Sequence, residues 1–164
     1  MKIKFKSNEE KQKNMEHISN TKFKKAAFFM KISIFILIFD LFTYVVALQF
    51  SLFDFGLYFE IFATIFAVLS VLALNKKNLD SSKRNILIST VPILFLQIYD
   101  ILVMCINWED YLYNAIYGYI YFEDILALSI LAILILNLKS YKLLNEIGKD
   151  LVEIGDKDWF YKEL

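Results

Sequence analysis

The sequence holds almost nothing that breaks or staples a chain: four glycines, one proline and one cysteine in 164 residues. A lone Cys105 excludes an internal disulfide and argues against a Cys-based metal site. The single histidine, His17, lies in a basic N-terminal segment and reads as a solvated side chain. No His-based metal motif, Gly-rich phosphate loop or serine elbow is present, so no enzyme class, resident metal or cofactor is expected. Net charge is missing too, 18 Lys+Arg against 18 Asp+Glu, which excludes a basic protein built for nucleic acid. The most informative absence is local: residues 32–75 and 85–138 contain no Lys or Arg at all.

What fills those stretches is apolar. Hydrophobic residues reach 58% and aromatics 17%. A soluble domain of this length has too little interior to bury that much apolar surface, and disorder would need the opposite composition. The expectation is an all-α integral membrane protein. Four apolar runs, at about 26–48, 52–74, 86–106 and 117–138, each approach the ~20 residues that cross a ~30 Å hydrocarbon core. They are continuous, not alternating, which excludes barrel strands. Residues 1–25 form a basic segment before this four-helix domain (26–138). Residues 139–164 follow as a tail in which Leu144, Ile147, Leu151 and Ile154 recur at helical spacing. That stripe predicts an amphipathic cytosolic helix, packed on a partner or continued from the fourth span. Its four Lys and six acids over residues 142–164 disfavour anionic lipid.

The charges set the orientation. Residues 1–25 carry eight Lys, and the 75–85 loop carries four basic residues. The turns near 49–51 and 107–114 carry none. Basic loops stay in the cytoplasm, so both termini and the middle loop are expected there, in the cytoplasmic membrane. Seventeen of the 18 basic residues are Lys. With the Ile, Asn, Phe and Tyr load, this points to an AT-rich, bacterial genome. Val45-Val46-Ala47 faintly resembles a signal cleavage site, but the basic region is too long and Asp40 interrupts the run, so a retained helix is expected. Pro92 predicts a kink in the third span.

An internal repeat is visible. Ile38-Phe39-Asp40-Leu41 resembles Ile98-Tyr99-Asp100-Ile101, and the stretch around Glu60 resembles the stretch around Glu123. A basic residue stands 16 before each Asp (Lys24, Arg84), and a Lys stands 16 after each Glu (Lys76, Lys139). Two parallel-repeated hairpins, 24–76 and 84–139, related by a twofold axis along the membrane normal, would follow.

Asp40, Glu60, Asp100, Glu123 and Asp124 are the unusual residues. Acids inside spans are costly and normally face the bundle interior or a wet cavity. A stripe of small and polar residues in span two (Gly56, Glu60, Ala63, Thr64, Ala67, Ser70) predicts close helix packing on the acid-bearing face. Matching stripes run through Ser33, Asp40, Thr43, Tyr44 and Ala47, and through Ser89, Gln97, Asp100 and Asn107. The acids are expected to converge in the outer half of one bundle. There they hold a cation or proton, or stay protonated and fix helix register through Tyr44, Thr64 and Gln97. Two functions compete. One is a non-enzymatic accessory, interaction or immunity-type membrane protein, with a membrane-protein partner or a second copy of itself. The other is a small cation- or proton-linked transporter or channel built on the acids.

Overall fold

The structure, a computed structural model, describes residues 2–47, 55–116 and 122–153. The described residues form five helices: α1 (Lys2–Ala47), α2 (Phe55–Asn75), α3 (Leu79–Ile106), α4 (Trp108–Ile116) and α5 (Phe122–Glu153). Four of these contain stretches long and apolar enough to cross a membrane: Glu16–Thr43, Gly56–Asn75, Leu79–Ile106 and Leu128–Asp150. They overlap the four expected spans. Their outward faces carry Phe35, Phe39, Phe42, Ile65, Leu72, Val91 and Phe95, all exposed, as lipid-facing side chains require.

The helices are longer than the apolar runs. At ~1.5 Å per residue the 21 residues of α2 span about 31 Å, close to the hydrocarbon thickness. The 46 residues of α1 span about 69 Å and the 32 of α5 about 48 Å. The basic N-terminal segment is thus helical from Lys2, and the tail continues α5 as far as Glu153. The tail's apolar stripe is spent inside the molecule: Leu144 and Ile147 are fully buried in a core that includes Phe23 and Ala26 of α1. Lys22 Nζ seals that contact, 2.7 Å from Asp150 and 3.5 Å from Glu146. Tyr141 and Leu143 pack partly buried against the same core, whereas the side chains of Leu151, Ile154 and the residues between and beyond them lie outside the described residues.

α3 begins well before the apolar run, because Asn78 caps it. Its side chain accepts from the Ser81 N–H, and Asp80 sits in the first turn, where a negative charge opposes the helix dipole. Pro92 is buried within α3, which continues through it. The 107–114 segment, expected as a turn, breaks only at Asn107 (φ −103°, ψ 31°) and restarts as α4 with Glu109 and Asp110 in its first turn.

α1 packs on α2 and α5, and α3 packs on the same two, so α1 and α3 stand at opposite corners of a square. The buried positions step by threes and fours. In α1 they are Ser19, Phe23, Ala26, Met30, Ser33, Leu37 and Asp40. In α2 they include Glu60, Ala63, Ala67, Ser70 and Leu74, and in α5 Ile130, Ile133, Asn137, Ser140, Leu144 and Ile147. This 3.5-residue repeat is the seam of left-handed coiled-coil packing. Heptad counting from the contacts below stacks the core into layers. With α2 placed by counting back across the α2–α3 turn, the register from the loop end outward is Ala26/Leu74/Ser82/Leu144, Met30/Ser70/Ile86/Ser140, Ser33/Ala67/Ser89/Asn137, Leu37/Ala63/Ile93/Ile133 and Asp40/Glu60/Leu96/Ile130.

Candidate functional site, a buried polar core closed by an apolar layer

Asp40 and Glu60 are each only 1% exposed. Both fall in the outermost of these layers, one on α1 and one on the neighbouring α2. The Ser129 hydroxyl of α5 donates to Asp40 Oδ2 at 2.5 Å. That serine is a partner the sequence reading did not name. Thr64, which it did name, turns its hydroxyl to the Glu60 backbone carbonyl at 2.7 Å, back-bonding its own helix instead of reaching a carboxylate. Gln97 is half-buried, and its side-chain oxygen accepts no hydrogen bond among the described residues.

Of the small-residue stripe in α2, Ala63, Ala67 and Ser70 are fully buried, while Gly56 and Thr64 are half-buried. Thr43 is half-buried and Asn107 exposed; the side chains of Tyr44 and Ala47 lie outside the described residues. So do those of Asp100, Glu123 and Asp124. By helix register Asp100 stands one turn beyond the Asp40 layer, and Glu123 two turns beyond it. Among the described residues no three His, Cys, Asp or Glu side chains are placed to hold a metal ion.

Further in lies a polar layer built on Asn137, whose role the sequence reading missed. The Ser33 hydroxyl donates to Asn137 Oδ1 at 2.9 Å, and Asn137 Nδ2 donates to Ser89 Oγ at 3.2 Å. Ser89 also donates to the Ile86 carbonyl at 3.3 Å. One amide therefore joins three helices across the centre of the bundle. The signal was present: an Asn in an otherwise apolar run, on the heptad step from Ile130 and Ile133. One layer down, Ser140 Oγ donates to the Ala26 carbonyl at 3.2 Å.

Between the acid layer and the Asn137 layer sit Leu37, Ala63, Ile93 and Ile133, all 0% exposed. This apolar layer parts the two polar ones. The Asn137 bonds also set the register of opposite corners, since Ser33 and Ser89 bind the two ends of one side chain. That register is one helical turn out of step with the spacing that pairs Asp40 with Asp100.

Comparison with family models, with curated proteins and with solved structures yields no match to this chain.

Proposed function

We propose that this chain is a non-enzymatic accessory or interaction protein, possessing four spans in the cytoplasmic membrane of a bacterium, with both termini cytoplasmic. The observation that carries the reading is the closed layer of Leu37, Ala63, Ile93 and Ile133 between the two polar layers. A conducting bundle needs polar groups that follow one another along its axis. Here the hydroxyls and the Asn137 amide bond to each other across helices, which fixes helix register at the cost of a passage. Interhelical hydrogen bonds of this kind average about 0.6 kcal/mol each in membranes. The sorting of Lys and Arg to residues 1–31, 76–84 and 139–164 supports the orientation. The partner is another membrane protein or a second copy of the chain. It would meet the lipid-facing surface, because α1 already covers the α5 stripe through Ile147. The two-hairpin repeat belongs to this proposal with a one-turn slide along the axis added to the twofold rotation. Mild solubilisation from native membranes, followed by native electrophoresis and mass spectrometry of the tagged chain, tests the reading. A co-migrating protein or a defined homo-oligomer is expected. A lone monomer that conducts ions after reconstitution would overturn it.

One observation favours a second reading, a cation- or proton-linked transporter: two carboxyl side chains, Asp40 of α1 and Glu60 of the adjacent α2, are buried inside a membrane bundle. In that case the Leu37 layer is a gate, and Glu60→Gln leaves a folded protein without ion-dependent flux.

A further inference from the structure

A second site lies at the loop end of the bundle, far from the acids. There α1, the end of α2 and the α2–α3 turn line a half-open cavity of about 450 Å³. Lys24, Lys31 and Lys77 line it together with Phe23, Phe28 and Leu74. Among the described residues around it none is acidic. Lys24, Phe28 and Lys31 are spaced by four and three and share one face of α1, so two cations flank an aromatic ring. The third cation comes from the turn. The Asn78 N–H bonds the Ala73 carbonyl at 2.9 Å and the Lys77 N–H bonds the Leu74 carbonyl at 3.0 Å, the two bonds of a Schellman cap. The residue at the left-handed position of that cap is ordinarily Gly; here it is Lys77, at φ 53°. A side chain is thus kept where the backbone would be better served without one, and that residue lines the same cavity as Lys24 and Lys31.

We propose that this cavity binds an anionic phospholipid of the leaflet that bathes the loop end, an inference that rests on the membrane reading above. Charge complementarity and shape argue for that occupant. Three lysines and no acid line the cavity, which suits a phosphodiester, and the apolar Phe28 and Leu74 beside them suit the start of an acyl chain. Basic pockets between spans on the cytoplasmic side take lipid head groups in this way. A lysine such as Lys31 can lay its stem along apolar surface and still keep its ammonium at the head-group level.

The experiment uses the full chain in detergent with equal phosphatidylglycerol and phosphatidylcholine, and native mass spectrometry counts the retained lipids. Wild type should retain phosphatidylglycerol preferentially. Lys24→Gln/Lys31→Gln/Lys77→Gly should lose that preference, on the order of fivefold for each lysine removed. Gly at position 77 suits the turn, and a thermal melt checks the fold. Should the triple variant fail to fold, Lys31→Gln alone carries the test with a loss of about fivefold. Lys25→Gln/Lys76→Gln/Lys142→Gln removes as much charge from exposed sites outside the cavity and should keep the preference. Equal loss in both triple variants, or no preference in wild type, overturns the proposal. Alkaline carbonate extraction separates the two failures. A chain that washes off native membranes defeats the membrane reading itself, whereas an embedded chain without lipid preference defeats only this site.

Discussion

Ser33 of α1 and Asn137 of α5 lie 104 residues apart in sequence, and their side chains meet at 2.9 Å in the centre of the bundle. Asn137 hands the connection on to Ser89 of α3 at 3.2 Å. A serine that loses a partner inside a membrane helix can still bond its own backbone, as Ser89 already does with Ile86. The expected loss on Asn137→Ala is therefore moderate, about 1–2 kcal/mol, measured by unfolding in mixed micelles of increasing sodium dodecyl sulfate. Asn137→Leu fills the space without the bonds and should lose register specificity, seen as broadened unfolding. An Asn137→Ala protein as stable as wild type would show the amide to be idle.

The Asp40 carboxyl group and Ser129 hydroxyl make a second link between α1 and α5, 2.5 Å long. Asp40→Asn keeps an oxygen that can accept from Ser129, so it should cost less than about 1 kcal/mol. Asp40→Ala removes the acceptor and leaves a cavity, and should cost about 2–3 kcal/mol. A double-mutant cycle with Ser129→Ala isolates the pair, with a coupling of at least 0.5 kcal/mol expected for groups in direct contact. Additive effects would mean that the two side chains do not stabilise each other.

Helix type, number and lipid-facing surfaces were legible because apolar run length and missing cations are one-dimensional signals. Asp40, Glu60, Ala63, Ala67, Ser70 and Ser33 could be placed on one face by helical spacing alone, and they are buried. Which layer each occupies was not legible. Layers depend on how far one helix slides along another, and that slide is set by contacts such as Ser33–Asn137 between residues far apart in sequence. The tail's apolar stripe was visible, and α5 continues into it as far as Glu153, but what covers the stripe was not legible: only the length of α1 brings Phe23 there. Polar stretches such as 79–85 read as loop because composition outweighs capping in a short window, yet one Asn78 side chain suffices to start α3 there.

Cys105 is exposed near the end of α3 opposite the Asn78 turn, and it is the chain's one thiol. If the basic loop is cytoplasmic, a membrane-impermeant maleimide added to intact cells should label it. In a Cys105→Ser background, Lys76→Cys should label only after permeabilisation. The reverse pattern would invert the orientation and place the lysine-lined cavity on the outer leaflet.

The layer of Leu37, Ala63, Ile93 and Ile133 yields the prediction that divides the two functional readings. Its four side chains are fully buried, so each change there alters packing directly. Leu37→Ala removes three carbons and should cost about 2–5 kcal/mol. Ala63→Leu adds bulk at a fully buried position, and should cost about 1–3 kcal/mol through overpacking. Neither loss distinguishes a plug from a gate, but proton flux into liposomes with a pH-sensitive dye does. A structural plug gives wild-type vesicles no faster than protein-free ones. Ile133→Ser then leaks, because a hydroxyl admits water between the acid layer and the Asn137 layer. A gate gives wild-type flux that responds to the imposed gradient and disappears with Glu60→Gln, while Ile133→Ser makes the flux insensitive to that gradient. Silent wild-type vesicles together with leaking Ile133→Ser vesicles support the accessory reading. Glu60-dependent flux in wild type would replace it with the transporter.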